Sequence, residues 1–297
     1  MLDRASTFAD PEIIAVLKTD FIPVAIDQAY QRRQKDSEGE FYRKIAGQGP
    51  RRNFDDTTQG LYVAGPDGAL LGFTNNRGSD RVKQLLKKGL EKYQPSEVVP
   101  IDPGTLDVRY NPQLPEGGLV IRVQAKVMGG YKKTDDKWEG IFQTSVSRDN
   151  LWITGEEHEA LVKGTFPKSL QERIARFHLV DNTRGEPPMW SGDEIRHLNI
   201  ALKDGAIDGT VALRTASQDR GYDAHLRGKI EVKDGRVSQF EMVSEGEFWG
   251  HGPYTRNPPP GKFPLAISFT LADGTDVADA IPPQASRGWV QGYLKPD

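Results

Sequence analysis

Apolar and polar positions follow a mixed rhythm over the first third of this 297-residue chain. Asp10 is a favourable N-cap, Pro11 suits the first helical position and Glu12 the positive end of the helix dipole. With Ile13, Ile14 and Leu17 as an apolar stripe, they predict a helix over 11–18. Phe21 to Asp27 then alternates, placing Ile22, Val24 and Ile26 on one face, and predicts a strand whose ladder Pro23 weakens on one side. A polar segment follows, with a short helix expected over Glu40 to Ala46. Gly60 to Ala64 and Ala69 to Thr74 flank the turn Gly65-Pro66-Asp67-Gly68 and read as a hairpin. Ser79 or Asp80 is expected to cap a helix with Val82, Leu85, Leu86 and Leu90 on one face and Lys83, Lys87, Lys88 and Lys92 around the other.

Periodicity lapses between Gln94 and Pro115, where Pro95, Pro100, Pro103, Pro112 and Pro115 mark a linker or wrapping segment. Val98, Val99, Ile101 and Leu106 are apolar enough to lie against a surface, which predicts a fixed arrangement. From Gly118 onward strand patterns dominate: Leu119 to Met128, Gly140 to Ser147, Glu194 to Leu202, Thr210 to Thr215, Tyr222 to Val232, Val237 to Phe248 and Phe263 to Leu271. Helical stretches are expected only at Glu156 to Lys163 and Ser169 to Phe177. The fold class is therefore α+β, with a mainly antiparallel β domain, as a sandwich or an open barrel, after an N-terminal α/β domain. The expected domains are 1–94 and 118–297, joined by the Pro-rich linker 95–117.

One hairpin can be read in more detail. Tyr222, Ala224, Leu226 and Ile230 are even-numbered, as are Phe240, Met242 and Phe248, so the apolar faces match only if even pairs with even. A two-residue Asp234-Gly235 turn would by itself mix the faces. The expectation is a three-residue loop with Gly235 in the left-handed region. The odd face then gathers Asp223, His225, Arg227, Lys229, Glu241, Glu245 and Glu247.

The order of elements in the first third resembles the thioredoxin-like superfamily, over about residues 1 to 93. The strings that carry the resemblance are Phe8-Ala9-Asp10-Pro11-Glu12, Phe21-Ile22-Pro23-Val24-Ala25-Ile26-Asp27, Thr57-Thr58-Gln59-Gly60 and Pro66-Asp67-Gly68. In that family a redox Cys pair opens the first helix. Here its place falls just before Met1, and Thr58-Gln59 lacks the cis-proline. The resemblance thus implies a scaffold without its first strand and without the groups that do the family's chemistry. An unfilled position of that kind leaves backbone groups unpaired at about 1 to 3 kcal/mol for each one buried. Four routes to closing it are open: insertion of the Pro-rich linker, insertion of the tail Trp289 to Leu294, direct pairing of the two flanking strands, or strand exchange with a second chain.

Composition narrows the chemistry further. The chain has no Cys, which removes disulfides, thiolate ligands and thiol nucleophiles together. Hydrophobic content of 36% and charged content of 27% fit a folded, soluble protein. No apolar run is long enough to span a membrane and the N-terminus is not a signal peptide, so a cytoplasmic location is the default, or an extracytoplasmic one if the true start lies upstream. The net charge of −3 is spread over both parts. Arg32, Arg33, Lys35, Arg43, Lys44, Arg51 and Arg52 are interleaved with Asp36, Glu38 and Glu40, as in a solvated insertion. Neither nucleic acid nor a membrane is an expected partner.

The best candidate chemistry lies on the odd face of the long hairpin. His225 beside Glu245 and Glu247 could hold a divalent metal or act as an acid/base pair. The following string, Phe248-Trp249-Gly250-His251-Gly252-Pro253-Tyr254-Thr255-Arg256, is of the kind that lines ligand pockets. Cross-strand ion pairs on a solvated sheet would give the same charges. His158-Glu159 lacks the second His of a zinc-protease helix. His178, Asp181, Arg184 and Glu186 suggest a salt-bridged loop at a helix end, and His197 an exposed position. There is no phosphate loop, nucleophile elbow or dinucleotide fingerprint.

These observations point to a non-enzymatic protein: a Cys-less thioredoxin-like module and a β-rich module. The latter would bind an unidentified protein or small-molecule partner through His225, Glu245, Glu247, Trp249, His251, Tyr254 and Arg256, with no catalytic residue, cofactor or metal assigned. The alternatives are the downstream part of a thiol oxidoreductase whose redox motif lies upstream of Met1, and a metal-dependent site at His225, Glu245 and Glu247.

Overall fold

A computed structural model describes residues 6–95, 102, 104–107, 109–286 and 289–295. The chain divides into two compact units, with residues 3–112 in one and 113–297 in the other. In the first, helix α1 (Pro11–Asp20) starts where its signals place it, with the Asp10 carboxylate accepting from the backbone N–H groups of Glu12 and Ile13. Helix α2 (Ser37–Gly47) is capped by Asp36, which accepts from Gly39. Strands β1 (Leu61–Ala64) and β2 (Leu70–Thr74) form an antiparallel hairpin, and helix α3 (Ser79–Lys92) packs behind it. Gly78 precedes α3 without a side-chain cap, so neither Ser79 nor Asp80 caps it as expected; both lie inside the first turn. The core of this unit is small: Ile13, Val63, Val82 and Leu86, with Phe21 and Leu61 against them.

Phe21 to Asp27 is not a strand. A strand needs a neighbouring ladder, and β1 pairs only with β2 among the described residues. Ile22 is 92% exposed, Val24 74% and Ile26 43%. Direct pairing of this segment with β1, one of the expected routes to closure, does not occur. Of the Pro-rich stretch, Val98, Val99 and Ile101 lie outside the described residues, while Leu106 is exposed. Asp107 accepts from the backbone N–H of Lys35, its own N–H donates to Asp36, and Tyr110 meets Tyr30 with ring centroids 5.9 Å apart.

The second unit is a curled seven-stranded antiparallel sheet, a half-barrel. Its strands are β3 (Leu119–Val127), β4 (Asp149–Ile153), β5 (Ile195–Lys203), β6 (Ala206–Arg214), β7 (Gly221–Lys233), β8 (Arg236–Trp249) and β9 (Lys262–Leu271). Their spatial order is β4-β3-β9-β8-β7-β6-β5. Alternation drives one face inward: Tyr222, Leu226, Phe240, Met242, Phe263, Leu265, Ile267 and Phe269 are all buried. Helices α5 (Gly155–Val162) and α6 (Lys168–Arg173), then a π-turn (Ile174–His178), fill the hollow with Leu161, Leu170, Ile174 and Ala175, joined by Trp190. Each of the Leu and Ile side chains among them contributes roughly 1.5–3 kcal/mol by leaving water.

Three further expectations are corrected. Of the expected strand Gly140 to Ser147, the part up to Thr144 is helical, in α4 (Lys137–Thr144), because Asp136 caps it through the N–H of Glu139 and Trp138 stacks edge-on against Phe142 one turn later, and only Val146 bridges to Lys126 of β3. The β7–β8 hairpin pairs even with even, Ile230 opposite Phe240, but through a two-residue turn. Asp234 and Gly235 both have positive φ, and a bulge after Glu231 supplies the one-residue shift assigned to a longer loop. The tail forms helix α7 (Val290–Leu294) and buries Tyr293 in the core of its own unit, so it does not supply a strand to the N-terminal sheet. No helix among the described residues is long and apolar enough to cross a membrane.

Candidate functional site

The outward face of β7 and β8 holds the expected residues. His225 lies opposite Glu245, and Asp223 opposite Glu247. Their partners are mostly local: Arg214 donates to both Asp223 oxygens at 2.9 and 2.7 Å, and Lys262 lies 3.3 Å from Glu247. Glu247 is thus paired with β9 rather than joined to His225. Among the described residues, no three His, Asp or Glu side chains are grouped so as to hold a metal ion.

The same face continues to Trp249, whose indole lies across the backbone of Gly221; a Cβ there would come within 2.1 Å of the ring. Trp249 donates from Nε1 to the Gln218 carbonyl at 3.0 Å. Lys262 Nζ lies 4.7 Å from its ring centroid and the Arg214 guanidinium 5.8 Å, both within cation–π range. Beyond it is an open depression of about 410 Å³ lined by Trp249, His251, Pro258, Pro259, Pro260 and Lys262.

The loop joining β8 to β9 is held from beneath. The Gly252 N–H donates to Thr255 Oγ1 at 2.7 Å, and Thr255 is only 2% exposed. The Thr255 carbonyl accepts from Nε and Nη2 of Arg184, at 3.4 and 3.3 Å. Arg184 is itself buried, 2.5 Å from Asp181 and 2.9 Å from the Tyr131 hydroxyl, whose pKa burial raises against the opposing pull of that guanidinium. Beside it Arg220 donates to the Pro188 carbonyl at 2.6 Å and stacks 3.8 Å over Trp190; burial lowers its pKa. The chain passes from Thr255 in the interior to Tyr254 at 73% exposure in one step. His251 and Arg256 are exposed on the same loop, with Arg256 Nε donating to the Pro253 carbonyl at 3.1 Å.

Compared with known proteins, the chain matches no family model, no curated protein and no solved structure. The site has therefore to be judged on its own geometry. Trp249 and His251 share one depression, and Tyr254 and Arg256 stand on the same anchored loop. His225 and Glu245 lie further along the sheet face.

A second polar cluster escaped sequence reasoning. The His178 ring, buried, has Nδ1 3.4 Å from Asp149 and Nε2 2.9 Å from the Tyr293 hydroxyl. That hydroxyl also accepts from the Trp152 N–H at 3.2 Å, so it ties the ring to the backbone of β4. Burial raises the Tyr293 pKa far above its ordinary value. Arg173, fully buried, pairs with Glu157 at 2.6 Å and donates to the carbonyls of Tyr293 and Leu294. Carboxylate, imidazole and hydroxyl in series resemble a catalytic relay, but the arrangement clamps α7 to β4. His158 is also structural, between the Gly117 carbonyl at 3.0 Å and the Val237 N–H at 3.1 Å. His178 does not join Asp181 and Arg184, which form the salt-bridged loop the sequence suggested.

Proposed function

We propose that this protein acts by non-catalytic recognition of a protein partner, engaged at the rim of the half-barrel by Trp249, His251, Tyr254 and Arg256. The observation that carries this reading is the contrast along the β8–β9 loop: a buried, arginine-held Thr255 carbonyl beneath a largely exposed Tyr254. Exposing an aromatic ring on a fixed backbone forgoes burial, and Tyr and Trp so displayed are the side chains most enriched at interface centres. Preorganisation removes the ordering cost a flexible loop would incur on binding. An open depression walled by Trp249 and three prolines suits a polypeptide surface better than an enclosed small molecule. The N-terminal unit, as a thioredoxin-like scaffold, would serve the same end, since a chain without Cys supports no thiol–disulfide exchange.

A photo-crosslinking residue at position 254 tests this, with position 277 as control because Val277 is 92% exposed in the same unit. The expected result in cells of the source organism is a discrete adduct from 254, absent from 277 and lost when Trp249→Ala and His251→Ala are added. Equal labelling from both positions, or an adduct indifferent to those substitutions, would refute the reading.

A further inference from the structure

The polar cluster beneath α7 is more elaborate than the seating of one ring requires. Of residues 289–295 only Tyr293 is buried; Trp289 is 65% exposed, and Gln291 and Lys295 are exposed as well. The Phe177 ring lies 5.4 Å from the Tyr293 ring, the Arg173 guanidinium 5.5 Å and the His178 imidazole 5.9 Å. Asp149 stands behind His178, and Glu157 behind Arg173. Apolar residues would pack a phenol ring as well, without the desolvation cost of buried charges. The walls also hold together without the tail. Glu157 accepts from Ser169 Oγ at 2.6 Å and from the Thr154 N–H at 3.0 Å, and Arg173 Nη1 bonds Glu157 at 2.6 Å and the Trp152 carbonyl at 3.2 Å. Asp149 accepts from the backbone N–H groups of Asn150 and Gln284. Other donors of the same walls reach α7: Arg173 Nε gives to the Tyr293 carbonyl at 2.9 Å, Arg173 Nη2 to that of Leu294, and the Trp152 N–H to the Tyr293 hydroxyl.

We infer that this socket is a binding site for a para-hydroxyphenyl group joined through two carbons to a carbonyl, and that the chain's own tail fills it. Each part of such a ligand has its reader. The Trp152 N–H and His178 Nε2 address the hydroxyl, Phe177 and the Arg173 guanidinium flank the ring, and Arg173 Nε addresses the carbonyl oxygen. The ligand is a neutral amide of this kind, because the Arg173 charge is already met by Glu157. Walls fixed by their own bonds make the socket preorganised, so little ordering is left to an incoming ligand. Helix α7, five residues long and seated by one buried side chain, is then a displaceable cover.

The test uses the full chain carrying Tyr293→Ala and isothermal titration with three neutral probes: desaminotyrosinamide, hydrocinnamamide, which lacks the hydroxyl, and para-propylphenol, which lacks the carbonyl. The expected result is saturable binding of the first and binding at least about tenfold weaker for each of the others, as a buried polar group of the socket loses its partner. An N-acetylated peptide amide of residues 290–295 separates the sources of such a group. Binding tighter than that of desaminotyrosinamide assigns the socket to a tyrosine-bearing chain segment, and binding no tighter assigns it to a free amide. In the unaltered chain desaminotyrosinamide should speed amide exchange at 290–294, and this measurement decides the matter should Tyr293→Ala not fold. Absence of saturable binding to the folded variant, equal affinity for the three probes, or tail exchange indifferent to desaminotyrosinamide would overturn the inference.

Discussion

Tyr293 Oη stands between the Trp152 N–H and His178 Nε2, so removing it leaves both of these buried polar groups without that partner. Tyr293→Phe is expected to cost about 1–3 kcal/mol in urea denaturation, against near neutrality for a merely space-filling ring. Arg184 occupies a comparable place under the rim. Arg184→Met keeps much of its stem volume but leaves Asp181 buried without its cation, and about 3–5 kcal/mol should be lost. The loop above it should then exchange its amides faster. Neither role was legible beforehand for the same reason. Tyr293 meets His178 across 115 residues and Arg184 meets Thr255 across 71, and no local pattern encodes pairs so distant. Asp181 with Arg184 was legible because the two lie three residues apart on one turn of chain. Trp249, His251, Tyr254 and Arg256 stood out by composition alone; that a buried arginine anchors their loop did not.

Elements with local start and stop signals emerged from the pattern nearly intact: α1 from Asp10 and Pro11, the β1–β2 hairpin from its Gly-Pro-Asp-Gly turn, and β7 and β8 from alternation. Where the reading failed, a second signal was competing. Gly140 to Ser147 was expected as a strand, but Asp136 and the Trp138–Phe142 pair make it helical as far as Thr144. The face assignment of the β7–β8 hairpin held although its loop did not, because a bulge can move register without moving faces. That turn carries its own prediction. Gly235, at φ +73°, sits where a side chain costs roughly 1–2 kcal/mol, more for a branched one. Gly235→Val should lower the urea midpoint of the half-barrel, whereas Ser238→Val, at the exposed extra residue of the bulge, should change it little.

At the scale of the half-barrel unit, its edge is closed by a charged network. Asp279 accepts from Arg122 Nε at 2.9 Å and Nη2 at 2.7 Å, and from Arg148 Nη2 at 2.6 Å. The Arg122 hydrogen bond, helped by Arg148 and opposed by burial, holds the Asp279 carboxyl below its ordinary value; Asp273 is held at about 2, by Thr275 and then by Arg122. Because the folded values are depressed, this stability is fully present above the unfolded carboxylate value of about 3.9 and is lost as pH falls through the folded values. Urea midpoints should therefore change little, on this account, between pH 7 and 5 and fall below pH about 4. Asp279→Asn should lower the midpoint at pH 7 and flatten that acid limb; an unchanged limb would assign acid sensitivity elsewhere.

The functional reading stands on a rigid loop that displays exposed aromatic and cationic side chains, and hydrogen exchange resolved over 250–261 measures that rigidity. The Gly252 and Thr255 amides, donating to Thr255 Oγ1 and to the Gly252 carbonyl, are predicted to exchange as slowly as those of the adjoining strands β8 and β9. Full exchange of both amides at the rate of an unstructured peptide, with β8 and β9 still protected, would contradict a preorganised rim and with it the proposed mode of recognition.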